Sequence, residues 1–248
     1  LSPAVSLSWR PFSESTLRIR ASYKDIFRVP TFTDLYYLRM GNTNLKPEET
    51  SQYNVGVTWS SSCGDWLRHF SISADGYYNT VKDKIVALPT MYVWKMMNMG
   101  EVDIKGVDVN LSTQFRLPLR MSLFLASTYS FQYAVDVTDP EAKNYKDQIP
   151  YTPRHSGTVS VTLENPWVNV SYILTAVGDR YALPQNIDRN RIDSYIEQSI
   201  SINRDFRFRY FGLRLQGELL NLTNVNYDVI QYYPMPGRSW RLSVCLSY

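Results

Sequence analysis

Ser239-Trp-Arg-Leu-Ser-Val-Cys-Leu-Ser-Tyr248 ends the sequence, and its reading decides the fold. Trp240, Leu242, Val244, Leu246 and Tyr248 fall on one face of an extended chain; Ser239, Arg241, Ser243, Cys245 and Ser247 fall on the other. A period of two is the mark of a β-strand. An apolar row set against a fully polar one fits a strand with lipid on one side and a watery lumen on the other.

The same alternation recurs upstream. Val5, Leu7 and Trp9 oppose Ser6, Ser8 and Arg10. Leu17, Ile19, Ala21 and Tyr23 oppose Arg18, Arg20, Ser22 and Lys24, and Tyr53, Val55, Val57 and Trp59 oppose Asn54, Gly56 and Thr58. Near 160, Val159, Val161 and Leu163 oppose Ser160, Thr162 and Glu164. Continued along the chain, the pattern predicts about eleven strands, at roughly 3–10, 14–25, 49–60, 67–83, 100–116, 120–134, 154–164, 166–178, 193–203, 209–221 and 237–248. Within 100–116 the phase flips, from Val102 and Ile104 to Val107, Val109 and Leu111, with Gly106 between them. A bulge at Gly106 is the expectation.

Composition agrees. The 248 residues are 44% hydrophobic and 14% aromatic, with 19 Tyr, yet the mean hydropathy is only −0.30. Alternating lipid-facing and lumen-facing side chains produce such an average. No stretch approaches the roughly 18 apolar residues of a membrane helix. A net charge of +3, without a basic run, argues against a nucleic-acid partner. Leu1 to Val5 lacks the basic and apolar regions of a signal peptide, so an export signal is expected upstream or removed.

The predicted connections sort by length. Pro11–Ser13, Ser60–Trp66, Leu117–Leu119, Asn165 and Arg204–Phe208 are short; Ile26–Glu48, Lys84–Met99, Val135–Pro153, Asp179–Ile192 and Leu222–Pro236 are long. Outer-membrane barrels have short periplasmic turns and long external loops. Aromatics gather near strand ends, at Trp9 and Phe12, Trp59 and Trp66, Tyr77 and Tyr78, Tyr129 to Tyr133, and Tyr227 with Tyr232 and Tyr233. This fits two interfacial girdles. The fold class is therefore all-β, an antiparallel transmembrane β-barrel. With the last strand running toward the periplasm, an odd count puts Leu1 outside the cell, whereas bacterial single-chain barrels have even counts. The expectation is part of a larger barrel, or a component of a composite; a closed barrel of ten or twelve strands is the alternative.

Three segments carry more identity. They are Asp25-Ile-Phe-Arg-Val-Pro-Thr-Phe-Thr-Asp-Leu-Tyr-Tyr37 with Gly41-Asn-Thr-Asn-Leu-Lys-Pro-Glu48; Met99-Gly-Glu-Val-Asp-Ile-Lys-Gly-Val-Asp-Val109; and Asn221-Leu-Thr-Asn224 with Tyr227, Tyr233-Pro-Met-Pro-Gly-Arg238 and the final strand. Together they resemble the C-terminal half of TonB-dependent outer-membrane receptors, most of all the vitamin B12 and ferric-siderophore group in the form common in Bacteroidetes. The resemblance covers essentially the whole chain. It implies eleven strands of a barrel of about 22, with the plug domain, TonB-box segment and first half of the barrel absent from residues 1–248. It implies TonB-energised uptake of a scarce nutrient such as a ferric siderophore or cobalamin, with the TonB complex engaged through the N-terminal region. It also implies that Trp240, Leu242, Val244, Leu246 and Tyr248 form the signal read by the barrel-assembly machinery.

The residues have their own physical reading beside this. Pro30 and Pro47 lack an amide donor and bracket an external loop in which Gly41-Asn42 is a turn signal. Loop architecture, rather than ligand contact, is the first explanation of that segment. Lumen-facing Arg18, Arg20, Asp75, Arg214 and Glu218 would solvate the channel. Tyr36, Tyr37, Arg39, Tyr92, Trp94, Tyr232 and Tyr233 are the candidate ligand contacts in the loops. Met91, Met96, Met97 and Met99 with Tyr92 and Trp94 read as an adaptable apolar loop tip. His69 and His155 lack ligand-spaced partners, and no hydrolase or phosphate-binding motif is present, so no catalytic residue, metal or cofactor is expected. Cys63 and Cys245 form no close motif, and a disulfide between them is left open. A non-transport structural or adhesive barrel is the alternative function.

Overall fold

The computed structural model describes residues 2–12, 16–90 and 92–247. Eleven strands form one antiparallel sheet in which each pairs with its sequence neighbours. They are β1 (Ala4–Trp9), β2 (Arg18–Arg28), β3 (Glu48–Cys63), β4 (Leu67–Pro89), β5 (Trp94–Leu117), β6 (Met121–Asp136), β7 (His155–Glu164), β8 (Asn169–Val177), β9 (Tyr195–Arg207), β10 (Gly212–Leu220) and β11 (Ser239–Ser247). The edges of the sheet are β1 and β11, which do not pair with each other among the described residues. Tyr248 of the proposed terminal signal, and Met91, lie outside the described residues.

The register confirms the two faces. Directly opposed residues of an antiparallel ladder share a face. Trp240, Leu242, Val244 and Leu246 oppose Leu219, Gly217, Leu215 and Leu213, which oppose Ile200, Ile202, Arg204 and Phe206. At the other edge, Val5, Leu7 and Trp9 oppose Tyr23, Ala21 and Ile19, which continue into Tyr53, Val55 and Val57. The apolar side chains of this face are largely exposed, Leu246 by 65%. Aromatic pairs mark both margins of the band. Trp59–Phe70 (5.3 Å) and Trp66–Phe115 (5.7 Å) lie toward the short turns, and Tyr23–Tyr53 (4.9 Å) and Tyr53–Tyr78 (6.4 Å) toward the long loops. From Tyr53 to Trp59 is six residues, about 20 Å, close to the ~25 Å apolar band of outer-membrane barrels.

The opposite face is polar and internally paired. Arg20, Asp75, Arg214 and Glu218 all lie on it, as does Arg18, which adjoins Arg20 in the same phase. Arg20 reaches Asp75 at 2.9 Å across β3. The residue between them is Gly56, where an added Cβ would lie 1.9 Å from Asp75 Oδ1. Arg214 donates through Nε and Nη2 to Asp205 at 2.6 and 3.0 Å, and Arg241 pairs with Glu218. Cys63 and Cys245 are free and exposed, with no disulfide.

Two expectations fail, for one reason. Lys84–Met99 is not a long loop: β4 and β5 run 23 and 24 residues and meet at a tip of residues 90–93. Met96, Met97 and Met99 are therefore strand residues, and Met99 is buried. No bulge occurs at Gly106, whose ladder with Tyr77 and Gln132 is unbroken; the main-sheet irregularities lie at Ser61/Cys63 and Leu67/His69, beside a short turn. Both strands are about twice the 9–11 residues of a bilayer-crossing strand. Toward their shared tip the inward face meets loop 137–154. Apolar residues accordingly change sides: Val81, Met99, Val102, Ile104, Ala134 and Ile149 form a buried cluster. Gly106 has another cause. A Cβ there would lie 2.3 Å from Phe131 O and 2.5 Å from the Tyr77 hydroxyl, which occupies the space.

Candidate functional site

The long connections form a layer at one end of the sheet, and the first, residues 29–47, is built from its own polar side chains. Thr31 caps the short helix α1 (Phe32–Tyr36): its hydroxyl accepts from Asp34 N at 3.2 Å while the Asp34 carboxylate accepts from Thr31 N at 2.9 Å. This reciprocal box satisfies two otherwise orphaned amides. Arg28, at the end of β2, holds Asp34 at 2.9 Å and Glu48 at 3.4 Å, so one guanidinium ties both ends of the loop. Burial pushes the Asp34 carboxyl up, but the Thr31 hydrogen bonds and Arg28 outweigh it and hold it below its ordinary value. Gly41 lies so close to α1 that a Cβ would sit 2.6 Å from Leu35 O.

The loop is then laced onto the projecting β4–β5 hairpin. Met96 N donates to Met40 O at 2.9 Å, and Asn42 Nδ2 donates to Met96 O at 3.1 Å. Asn98 accepts from Lys46 N at 2.9 Å and donates to Lys46 O at 3.1 Å and Asp83 O at 2.7 Å. Arg28, Thr31, Asp34, Asn42 and Glu48 of this segment thus brace the loop.

A second centre joins the remaining loops. Arg180, just beyond β8, is 3% exposed and has no carboxylate in ion-pair range among the described residues. Its Nη2 donates to Asp228 O and, at 3.2 Å, to Val229 O. Its guanidinium stands 5.6 Å from the Tyr195 ring, which stacks on Tyr227 at 4.0 Å, while Nη1 is buried without a hydrogen-bond partner. Burial pulls the guanidinium below its ordinary value, opposed by Tyr195, Tyr151 and Asp228. Burial raises the Tyr151 phenol, against a backbone contact from Gln231 and the charge of Arg180. Tyr151 N donates to Tyr181 O at 2.7 Å, and the Tyr151 ring meets Trp94 at 5.7 Å. A path of contacts and strand neighbours thus leads from Met40 through Met96 and Trp94 to Tyr151, whose charge environment includes Arg180, and on to Asp228 and Tyr232, whose amide donates to Asp228 Oδ2 at 3.0 Å.

The sequence profile described as "TonB dependent receptor-like, beta-barrel" matches residues 1–222. The chain belongs to this family. Proteins of the TonB-dependent receptor family are outer-membrane receptors. Among curated relatives, the vitamin B12 transporter BtuB of Photobacterium profundum is 25% identical over 236 residues, covering 91% of this chain and 34% of the relative. BtuB of Vibrio vulnificus is 25% identical over 225 residues, covering 88% and 33%. The chain therefore spans about a third of the length of these relatives. Among solved structures, the copper transporter OprC superposes with a TM-score of 0.72 at 16% identity, covering 99% of this chain and 39% of that one. The unliganded ferric citrate transporter FecA gives 0.72 at 12%, covering 99% and 38%. These likenesses establish the fold.

Within this TonB-dependent receptor sheet, the candidate contacts fall into two groups. Tyr36, Tyr37 and Arg39 sit on the 29–47 loop, which is bonded to the hairpin carrying Tyr92 and Trp94. Tyr92 is 88% exposed at the tip, whereas Trp94 is half-buried against Tyr151 and braces the layer. Tyr36 packs on Phe32 at 4.8 Å. Tyr232 and Tyr233 lie at the far end of the layer, in a small ribbon formed by Asp228–Ile230 and Tyr233–Pro234. No direct contact joins the two groups among the described residues; the Tyr151–Arg180 path links them. Arg180, Tyr151 and Tyr195 escaped the sequence reading, because nothing local distinguishes a buried arginine beyond a strand end. Among the described residues no group of three or more His, Cys, Asp or Glu could hold a metal ion.

Proposed function

We propose that this chain is the C-terminal part of the barrel of an outer-membrane receptor of about 22 strands, which takes up a scarce nutrient such as cobalamin or a ferric siderophore with energy delivered through TonB. The observation that carries the reading is the two-faced sheet of a TonB-dependent receptor capped by a braced, aromatic loop layer. An apolar band about 20 Å tall meets lipid, and the paired polar face lines the lumen. Exposed rings at Tyr36, Tyr37, Tyr92, Tyr232 and Tyr233, with Arg39, offer amphipathic surface to a metal chelate or corrinoid ligand. The relatives named for vitamin B12 transport favour cobalamin within that class. The TonB complex and a plug would act through segments outside residues 1–248. The apolar row Trp240, Leu242, Val244 and Leu246, completed by Tyr248, would be read by the barrel-assembly machinery.

Deletion of the gene, followed by growth with cobalamin or single ferric siderophores as limiting nutrient, tests this. Loss of growth on one of them, restored by the intact gene, is the expected result. Normal growth and normal ligand accumulation on all of them would refute it and favour a structural or adhesive barrel.

A further inference from the structure

The apolar face carries one feature that a plain lipid-facing surface does not require. Across β9 and β10 it is hollowed into a groove of about 460 Å³. Its floor is Gly217, where an added Cβ would have no heavy atom within 4 Å; Ile202 and Leu242 flank this glycine on the neighbouring strands. Ile200, Leu215 and Leu219 form the walls. Among the described residues the one charged side chain of this face that lines the groove is Arg204, at the end nearer the short turn 208–211. Its phase is fixed by the unbroken register that sets it opposite Leu215, itself opposite Val244.

Arg204 has no ion-pair or hydrogen-bond partner among the described residues, and its same-face neighbours on β10, Leu213, Leu215 and Gly217, are uncharged. The nearby acid, Asp205, points to the other face and is occupied by Arg214. The Arg204 guanidinium lies 4.8 Å from the Phe206 ring, turned toward the short-turn end. Three residues separate it from the end of β9, about 10 Å along the strand. The groove from Ile200 to Arg204 runs about 14 Å, long enough to seat part of an acyl chain.

We propose that this groove is a binding site for one glycerophospholipid of the periplasmic leaflet. One acyl chain lies over Gly217 and the phosphodiester pairs with Arg204. The inference rests on the outer-membrane reading above. An unpaired guanidinium in an apolar face needs an anionic acceptor at the interface, and its planar fork fits two phosphate oxygens. Only the leaflet on the short-turn side brings phosphate to that end of the groove. The short turns face the periplasm.

The test uses the full receptor chain in phosphatidylcholine nanodiscs doped with phosphatidylglycerol or, separately, with diacylglycerol of the same chains or with lipopolysaccharide. The lipid retained after detergent extraction is counted by native mass spectrometry. Wild type is expected to keep one glycerophospholipid, phosphatidylcholine or phosphatidylglycerol, and no diacylglycerol. Arg204→Gln should lower retention about tenfold, Arg204→Lys less, and Gly217→Leu, which fills the floor, should abolish it. Thermal melting of each variant in the nanodisc confirms a folded barrel. Equal retention by wild type and Arg204→Gln, equal retention of diacylglycerol, or preferential capture of lipopolysaccharide would each overturn the proposal. Failure to enter any nanodisc would instead overturn the membrane reading, and this proposal with it.

Discussion

Replacing Arg180 with Met separates two opposite expectations for a buried, unpaired guanidinium. Burial of an isolated charge costs several kcal/mol, and an apolar side chain of similar size is often better tolerated. On that ground alone Arg180→Met would be neutral or stabilising. Arg180, however, donates to two backbone carbonyls of another loop, Asp228 O and Val229 O, and faces the Tyr195 ring at 5.6 Å. Hydrogen bonds from a charged donor contribute roughly 1.5–3 kcal/mol each after desolvation, while the unpartnered Nη1 subtracts about 1–3 kcal/mol. The balance leaves about 2–3 kcal/mol holding the 221–238 loop closed over Arg180. Loss of it should raise local opening about thirty- to a hundred-and-fortyfold.

Hydrogen exchange of the full receptor chain in nanodiscs measures this directly. Amides of residues 228–235 should exchange faster by that factor in Arg180→Met. The 29–47 loop, whose bonds go to the β4–β5 hairpin, should not change. Arg180→Lys keeps the charge without the fork and should fall between the two. Unchanged or slower exchange at 228–235 in Arg180→Met would refute the latch and make Arg180 a burden relieved by its removal.

Gly41→Ala brings a Cβ against backbone atoms of α1 that cannot yield, so it should weaken the 29–47 loop by about 1–3 kcal/mol, seen as faster proteolysis within it. Gly56→Ala meets the movable side chains of Asp75 and Arg20; it should cost no more than the roughly 1 kcal/mol of an exposed ion pair, a small shift in melting temperature. The carboxyl of Asp34 is held below its ordinary value. Its contribution is therefore complete above the ordinary carboxylate range, near pH 4, and is lost as the pH falls through the lowered value. Exchange in the 29–47 loop should rise on acidification below about pH 4, and Asp34→Asn should raise it at neutral pH and remove the dependence. Tyr92→Ala, at an 88% exposed tip, should leave melting unchanged while weakening nutrient binding about tenfold in a direct titration; unchanged affinity would remove Tyr92 from the contact surface.

The strands were readable because an apolar row on one face and a polar row on the other impose a strict two-residue period. Each of the eleven observed strands overlaps a predicted one, and the pairing of β11 with β10 and β10 with β9 keeps the apolar rows on the expected face. The latch was not readable. Arg180 acquires its partners only when segments near 151, 180, 195 and 228 close together, and a single strand's pattern holds no information about that closure.

The error at Gly106 shows where the period-two rule stops applying. The strand keeps its register through residues 102–111 while its apolar residues change sides. Below Gly106, Val107, Val109 and Leu111 share the outer face. Above it, that face carries Lys105 and Asp103, and Lys105 Nζ lies 5.1 Å from the Tyr133 ring. The inner face there carries Val102 and Ile104, buried with Ile149 of the overlying loop. A bulge would have moved the side chains; here the surroundings changed instead. On the outer-membrane reading proposed above, a flip in apolar phase with charge and aromatic residues beside it marks the membrane boundary of a strand long enough to leave the bilayer. Lys105→Leu separates the two explanations. With an intact ladder it extends the apolar band outward and should deepen the hairpin's insertion, measured by quenching of Trp94 fluorescence from lipid-borne quenchers at graded depths. Were the flip a bulge, residue 105 would face the lumen and the quenching would not change.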